Sequence, residues 1–339
     1  MTKAPVTPKR GATSYDVARA AGVSQSAVSR CFKPGASVAP DTRARILKAA
    51  EALGYAPNAI AQGLITRRSN LVAVIISNLT NLYYPEVLAE LTTRLSDRGI
   101  RVLLFALQAE SDVDAVLQQV WRYRVDGAIV AARLLPDQLR VFSQRGTPVV
   151  LYNRVGDAEP VASVCCDSVA GERQLVDGLV AAGHRHFGII AGPADSFVGE
   201  ERVNAAVERL RHHGFDAPVV RGAFDYSSGA EGLRGLMAST DDQLDALICA
   251  NDLMAIGAID CARASYGLDV PDRLSVVGFD GVSPATWEAY KVTTVRQPVR
   301  RMTEAAVEML IERIEEPSIA PERRFFAGQL LPGQSARLG

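Results

Sequence analysis

The chain has 339 residues, 48% of them hydrophobic and 22% charged, which is ordinary for a globular protein with room for two or three domains. No apolar run approaches the roughly 18 residues of a helical membrane span, and Met1 to Arg10 lacks the apolar stretch of a secretory signal. The net charge of −1 conceals an asymmetry: residues 1–70 carry 11 Lys+Arg against 3 Asp+Glu, and the remainder 26 against 35. A basic head on an acidic body points to a polyanionic partner for the head alone. The five cysteines (Cys31, Cys165, Cys166, Cys249, Cys261) are odd in number and show no CxxC spacing. They are expected to be buried thiols in a reducing cytoplasm rather than a disulfide frame or a zinc site.

Residues 1–12 read as a disordered arm. Thr13 is placed to cap a short helix through Tyr15, Val17, Ala18 and Ala21, which Gly22 ends. Ser24 caps a second helix, Gln25 to about Phe32. Two short helices joined by a glycine-containing turn form a helix-turn-helix unit, whose second helix lies in a DNA major groove. Val17, Ala18, Val23, Val28 and Cys31 would hold the helices crossed, leaving Gln25, Ser26, Ser29 and Arg30 facing outward. A third helix is expected after Pro40, running through Ile46, Leu47, Ala50 and Leu53, although Ala39 offers no side-chain cap. Residues 57–70 then form a hinge helix and linker. Pro57 suits a first turn, and Ile60, Ala61 and Leu64 share a face, but the helix is too short to stand alone and Gly63 weakens it by about 1 kcal/mol.

Tyr15-Asp16-Val17-Ala18, Ala21-Gly22-Val23-Ser24, Val28-Ser29-Arg30 and Leu53-Gly54-Tyr55-Ala56-Pro57-Asn58 together resemble the head of the lactose/galactose repressor (LacI/GalR) family of bacterial transcription regulators. The resemblance implies that Gln25 and Ser26 choose the operator. Arg30 has the fork to grip a guanine, a contact worth roughly 1–3 kcal/mol of discrimination, or alternatively a phosphate. Ser24, Ser29 and Asn58 would position the backbone. The resemblance also implies that the hinge helix carrying Asn58, Ala61 and Leu64 folds in the minor groove, with Leu64 wedged between base pairs. Packing of Leu64 within a pair of helices is the alternative.

From Leu71 onward, short apolar runs alternate with amphipathic helical segments: 71–76, 102–105, 128–130, 149–152, 187–190, 246–249 and 274–278. Continuous apolar strands of this kind mean parallel sheet covered on both faces. Two sets, divided near Cys165–Asp167, predict two doubly wound lobes with a ligand cleft beyond their strand ends. Gly183-His184-Arg185-His186, Ala191-Gly192-Pro193, Ala250-Asn251-Asp252, Val276-Val277-Gly278-Phe279-Asp280 and Thr293-Thr294-Val295-Arg296-Gln297-Pro298 extend the family resemblance. They imply a periplasmic-binding-protein-like sensor. The expected fold is therefore an all-α helix-turn-helix DNA-binding domain (13–56) followed by an α/β sensor (71–339). Lobe one is expected at about 71–165 and 297–322, lobe two at about 166–296 and 323–339.

Strand ends nominate the effector pocket. Arg202 offers a planar fork for hydroxyls or a carboxylate, Asp280 an acceptor, and Asn251 and Asn153 both donor and acceptor. The resemblance aligns Phe224 with a stacking aromatic, and Tyr83 or Tyr84 would supply the opposite wall; Asn204 and Asp225 are second choices. Asp252 reads better as a helix N-cap than as a ligand contact, and Trp287 as core or interface. His184 and His186 make a poor metal pair, and His212-His213 a solvated helix end. No nucleophile elbow, HExxH, P-loop or GxGxxG is present, so no enzyme and no cofactor is expected. The expected protein is a cytoplasmic regulator, a homodimer on a pseudo-palindromic double-stranded DNA operator. Its effector would be a sugar or sugar derivative, with a purine or nucleoside corepressor as the runner-up. A solute-binding protein of the same fold is the alternative, but it would carry a signal peptide and no basic head. No leucine-heptad tail follows Arg323-Arg324, which favours a dimer over a tail-tied tetramer.

Overall fold

The computed structural model describes residues 12–33, 35–56, 68–77, 79, 81–107, 112–156, 160–240 and 243–339, and among the described residues of its first unit (Met1–Ser69) there are three helices. Helix α1 (Ser14–Ala21) opens on a reciprocal cap: the Thr13 amide donates to Asp16 Oδ2 at 3.0 Å, and the Asp16 amide donates to Thr13 Oγ1 at 3.4 Å. Gly22 closes it at φ 64°, a left-handed turn that glycine adopts without strain. Ser24 accepts from the Ala27 amide at 3.2 Å and starts α2 (Gln25–Cys31). Helix α3 (Pro40–Ala52) starts on its proline with no side-chain cap. Val17, Ala18, Ala21, Val28, Cys31, Ile46 and Ala50 form the shared core, with Val23, Phe32 and Tyr55 packed against it.

The second unit (Asn70–Gly339) holds two six-stranded sheets. In chain order its elements are β1 (Leu71–Ser77), α4 (Tyr83–Ser96), β2 (Arg101–Leu107), α5 (Val113–Arg122), β3 (Gly127–Ala131), α6 (Pro136–Gln144), β4 (Val149–Tyr152) and β5 (Ala162–Asp167). Then come α7 (Ser168–Ala181), β6 (Phe187–Ala191), α8 (Phe197–His212), β7 (Val219–Arg221), α9 (Tyr226–Ser239), β8 (Ala246–Cys249), α10 (Asp252–Tyr266) and β9 (Ser275–Asp280). A short 3-10 turn (Ser283–Thr286), β10 (Thr293–Arg296), α11 (Val299–Glu315), β11 (Arg323–Ala327) and β12 (Gln329–Leu331) finish the chain. The first sheet runs β11-β5-β4-β3-β1-β2, the second β12-β10-β9-β8-β6-β7.

Strand β1 shows why both faces must be covered. Val72, Val74 and Ile76 join a core with Val87, Leu91 and Leu95 of α4, while Ala73 and Ile75 join another with Leu117 of α5 and Phe142 of α6. Two faces of one strand thus bury two separate cores, which is why its sequence is apolar from Leu71 to Ile76.

The lobe limits need correction. Strand β5 lies wholly in the first sheet, so the first change of sheet falls after Asp167. The return to the first lobe does not end at 322, since β11 pairs in parallel with β5 at the edge of the first sheet. Only β12 joins the second sheet, antiparallel to β10, so that sheet is not purely parallel. Edge strands half open to solvent, as β11 is, carry no continuous apolar run by which to be recognised.

Candidate functional site

On the first unit, Ser24, Ser26, Ser29 and Arg30 are exposed. Gln25 is half-buried, its Nε2 donating to Ser14 Oγ at 3.4 Å. Ser24 and Ser26 hydroxyls meet at 2.9 Å, and Arg30 Nε reaches the Ser26 carbonyl at 3.4 Å, which draws the guanidinium along α2. Tyr15 was not singled out as a site residue, yet it is 68% exposed and carries a hydroxyl. The sequence held the signal, because the buried row of α1 is Val17, Ala18 and Ala21, and Tyr15 falls off that spacing. Asn58, Ala61 and Leu64 lie outside the described residues.

In the second unit a narrow cleft with a cavity of about 20 Å³ opens where the strand ends of the two sheets meet. Asn81, Tyr83, Tyr84, Asn153 and Arg154 line it from the first lobe, and Ser196, Val198, Arg202, Phe224 and Asp280 from the second, with Gln297 on the connection between them. Arg202 lies on α8, whose first turn Ser196 caps through the Gly199 amide at 3.2 Å. It is 3% exposed; Nη2 donates to Asp280 Oδ1 at 2.8 Å, Nη1 to the Ala250 carbonyl at 2.6 Å, and the guanidinium carbon sits 3.9 Å from the Phe279 ring centroid. Burial works against its charge, but Asp280 and Glu172 more than offset that and raise its pKa. Charge, ring face and two acceptors therefore fix the fork in place.

The aromatic walls follow from the backbone. Phe224 adopts φ 61°, which turns its ring inward against Gly192 and Gly199. A Cβ at Gly192 would come 2.3 Å from Phe224 Cζ, so only glycine leaves room for the ring. Opposite, Tyr83 and Tyr84 form an edge-to-face pair at 5.4 Å, and the Tyr83 hydroxyl meets that of Tyr152 at 3.2 Å. Burial raises the Tyr83 pKa well above its ordinary value, so Tyr83 stays a neutral donor and acceptor.

Several nominated residues fall elsewhere. Asn251 is the N-cap of α10: its Oδ1 accepts from the Met254 amide at 3.0 Å and its Nδ2 donates to the Phe224 carbonyl at 2.9 Å. It holds Phe224 in place and does not line the space. Asp252, expected as the cap, is the first helical residue; it accepts from the Thr294 hydroxyl at 2.5 Å and the Val282 amide at 2.8 Å. Burial pushes its carboxyl up to about 8 against those donors. Asn204 is exposed on α8, since two residues along a helix turns a side chain about 200° from Arg202. Asp225 is the exposed N-cap of α9, accepting from the Ser228 amide at 2.8 Å. Trp287 is 56% exposed rather than core. His213 is not merely solvated, because its Nε2 lies 2.7 Å from Asp177 Oδ1, which also takes Arg209 Nε at 2.6 Å. No group of three metal-ligating side chains occurs among the described residues, His184 and His186 included.

Sequence reasoning passed over Asn81, Arg154, Ser196, Val198 and Gln297. It also passed over Glu172 on α7, which is 1% exposed, has no hydrogen-bond partner on either oxygen, and is pushed up to about 8 by burial. Nothing local in the sequence distinguishes Asn81, Arg154, Ser196 and Glu172 from surface residues, whereas Gln297 lies in a stretch that extends the family resemblance.

Residues 13–58 match the family model described as bacterial regulatory proteins, lacI family, and residues 176–336 match a periplasmic binding protein-like domain. The chain is 31% identical to the HTH-type transcriptional regulator CelR of Thermobifida fusca, over 96% of this chain and 99% of that protein. It belongs to the lacI family. The family's regulators include catabolite control protein A of Priestia megaterium, 28% identical over 91% of this chain and 94% of that protein. Among solved structures, the lac repressor dimer bound to operator and the anti-inducer ONPF is similar with a TM-score of 0.86 at 25% identity, covering 96% of this chain and 99% of that one. The CelR–cellobiose complex is similar with a TM-score of 0.72 at 30% identity and the same coverage. This lacI-family chain is a DNA-binding transcription regulator, and its relatives are regulators rather than enzymes.

Proposed function

We propose that this lacI-family regulator is a repressor whose operator affinity is controlled by a hydroxyl-rich, sugar-like molecule held between its two lobes. The observation that carries the reading is the buried Arg202–Asp280 pair between Phe224 and Tyr83–Tyr84. Asp280 already meets the charge of Arg202, so the pair offers donors and acceptors to hydroxyls rather than net charge to an anion. Phe224 and the tyrosines supply apolar faces for a ring. The solved complex of CelR with cellobiose supports a sugar. A purine corepressor is the second reading, favoured by the PurR repressor of Aliivibrio fischeri, 30% identical over 94% of this chain. The protein acts as a homodimer, as the lac repressor structure suggests, on a pseudo-palindromic operator in the cytoplasm. Among the described residues no helix is long and apolar enough to cross a membrane.

The DNA-contacting set is Ser24, Gln25, Ser26, Ser29 and Arg30, with Asn58, Ala61 and Leu64 of the hinge. Arg202, Asp280, Phe224, Tyr83 and Tyr84 face the effector. Selection of bound sites from random duplex DNA near physiological salt tests the regulator, followed by a panel of mono- and disaccharides and purines added to the recovered complex. A palindrome released by a sugar supports the repressor reading. Binding that a purine strengthens would replace it with corepression, and recovery of no palindrome with or without the panel would refute it.

A further inference from the structure

Two primary amides meet where the chain passes between the lobes. Asn153, just beyond β4, has a left-handed φ of 51°. Its Oδ1 accepts from the backbone amide of Cys166, at the end of β5 and just before the first crossover, at 3.0 Å. Its Nδ2 donates to the Tyr83 hydroxyl at 3.2 Å and to Gln297 Oε1 at 2.8 Å, which uses both of its hydrogens. Gln297 stands on the second crossover, between β10 and α11, and is 1% exposed. Its Nε2 donates to Asp280 Oδ1 at 2.7 Å, the oxygen that also takes Arg202, and its backbone amide donates to the Asp280 carbonyl at 3.2 Å. Only one orientation of the Gln297 amide satisfies both neighbours. Reversed, its NH2 would face the NH2 of Asn153 and its oxygen would face the Asp280 carboxylate.

We propose that Asn153 and Gln297 are positioning residues of the effector site, a relay that ties the pocket carboxylate Asp280 to the first and second crossovers and converts occupancy of the cleft into lobe rotation. The proposal rests on the effector-site reading above. It moves Asn153 from ligand contact to connector, because its two donor hydrogens are already engaged. A ligand hydroxyl that donates to Asp280 Oδ1 competes with Gln297 for that oxygen. When Gln297 yields, Asn153 Nδ2 loses an acceptor, and the amide group that holds the Cys166 N–H through its Oδ1 is released to turn. The neighbouring bridge between lobes, Arg296 to Glu86 at 3.0 Å, has both side chains 42% exposed and adds little constraint. The buried amides are the connection that holds, since hydrogen bonds in a network removed from water strengthen one another.

Inter-lobe distance in the full chain, free of ligand and DNA, tests this. Spin labels go on Leu135→Cys and Asp195→Cys, exposed positions beyond β3 and β6, while the five native cysteines are buried and remain unlabelled. Gln297→Met keeps the length and removes both bonds; a second, longer distance population is expected, with faster hydrogen exchange at the Cys166 amide. Gln297→Glu supplies a rescue by pH. A protonated carboxyl donates and accepts as the amide does, so the native distance should return at low pH. At high pH its charge faces Asp280, with Arg202, Glu172, Cys166, Asp252 and Tyr83 the other titratable groups around that carboxylate, and the longer population should dominate. Native distances in both variants at every pH would overturn the relay. A stability loss without a distance change would do the same, because it would mark a purely structural role. Neither result touches the site-selection outcome on which the effector-site reading stands or falls.

Discussion

Replacing Glu172 with glutamine should make the protein more stable, increasingly so as pH rises. Glu172 is 1% exposed on α7, and no donor reaches either oxygen, so burial holds the proton on it and pushes its pKa from 4.5 up to about 8. The opposing pull of Arg202 is the weaker influence. The unfolded chain sheds that proton near its ordinary value, whereas the folded chain keeps it until about pH 8. Between those limits the folded state binds the extra proton, so native stability falls with rising pH, by about 1.36 kcal/mol per unit from this one group. Across the window the loss approaches roughly 4–5 kcal/mol as an upper bound. Glu172→Gln stays neutral throughout and escapes it. The variant should unfold like the native protein near pH 4.5 and on the order of 10 °C higher by pH 8, given about 2–4 °C per kcal/mol for a domain of this size. Thermal or urea unfolding of both proteins from pH 4.5 to 8.5 reads this directly. Asp252, also pushed up to about 8, titrates alike in both proteins and cancels in the difference. Parallel stability curves would refute the claim that Glu172 is buried as the neutral acid.

Three further outcomes are expected. Arg30→Ala should relax preference at one operator base by about 1–3 kcal/mol without altering the unfolding midpoint, as site selection with the variant would show. Arg202→Ala leaves Asp280 buried without its cation, so the variant should lose about 3–5 kcal/mol of stability in denaturant titrations and show no response to the native effector. Gly192→Ala places a methyl 2.3 Å from Phe224 Cζ; the ring must leave its seat, so effector affinity in calorimetry should collapse while operator binding persists.

The head was legible almost residue by residue, because Thr13, Gly22 and Ser24 act on backbone groups within four positions of themselves. The buried strands were legible for a different reason, since apolar runs survive only where both faces are covered. Strands β7, β11 and β12 were not: they are short, half-exposed edges, and β11 finds its partner some 160 residues earlier in the chain. The pocket lay between these cases. Strand ends pointed to Arg202, Asp280, Phe224 and Asn153, but helical phase sent Asn204 outward, and a shift of one residue made Asn251 the cap in place of Asp252. Gln297 and Glu172 acquire meaning only from partners distant in sequence, Asn153 being 144 residues from Gln297.

Gly328 alone separates β11 in the first sheet from β12 in the second, and a Cβ there would come 2.5 Å from Val295 Cγ1. A tether one residue long permits swivel but not sliding, so it acts as a pivot pin. Asp167 leads straight into α7, and Gln297–Pro298 is the only slack between β10 and α11, so the other two passages are scarcely longer. Whatever moves one lobe against the other must therefore turn it about a short axis through these three passages. Displacement is then smallest at Gln297 and grows with distance from it, which makes the far rims of the two sheets the surfaces that travel.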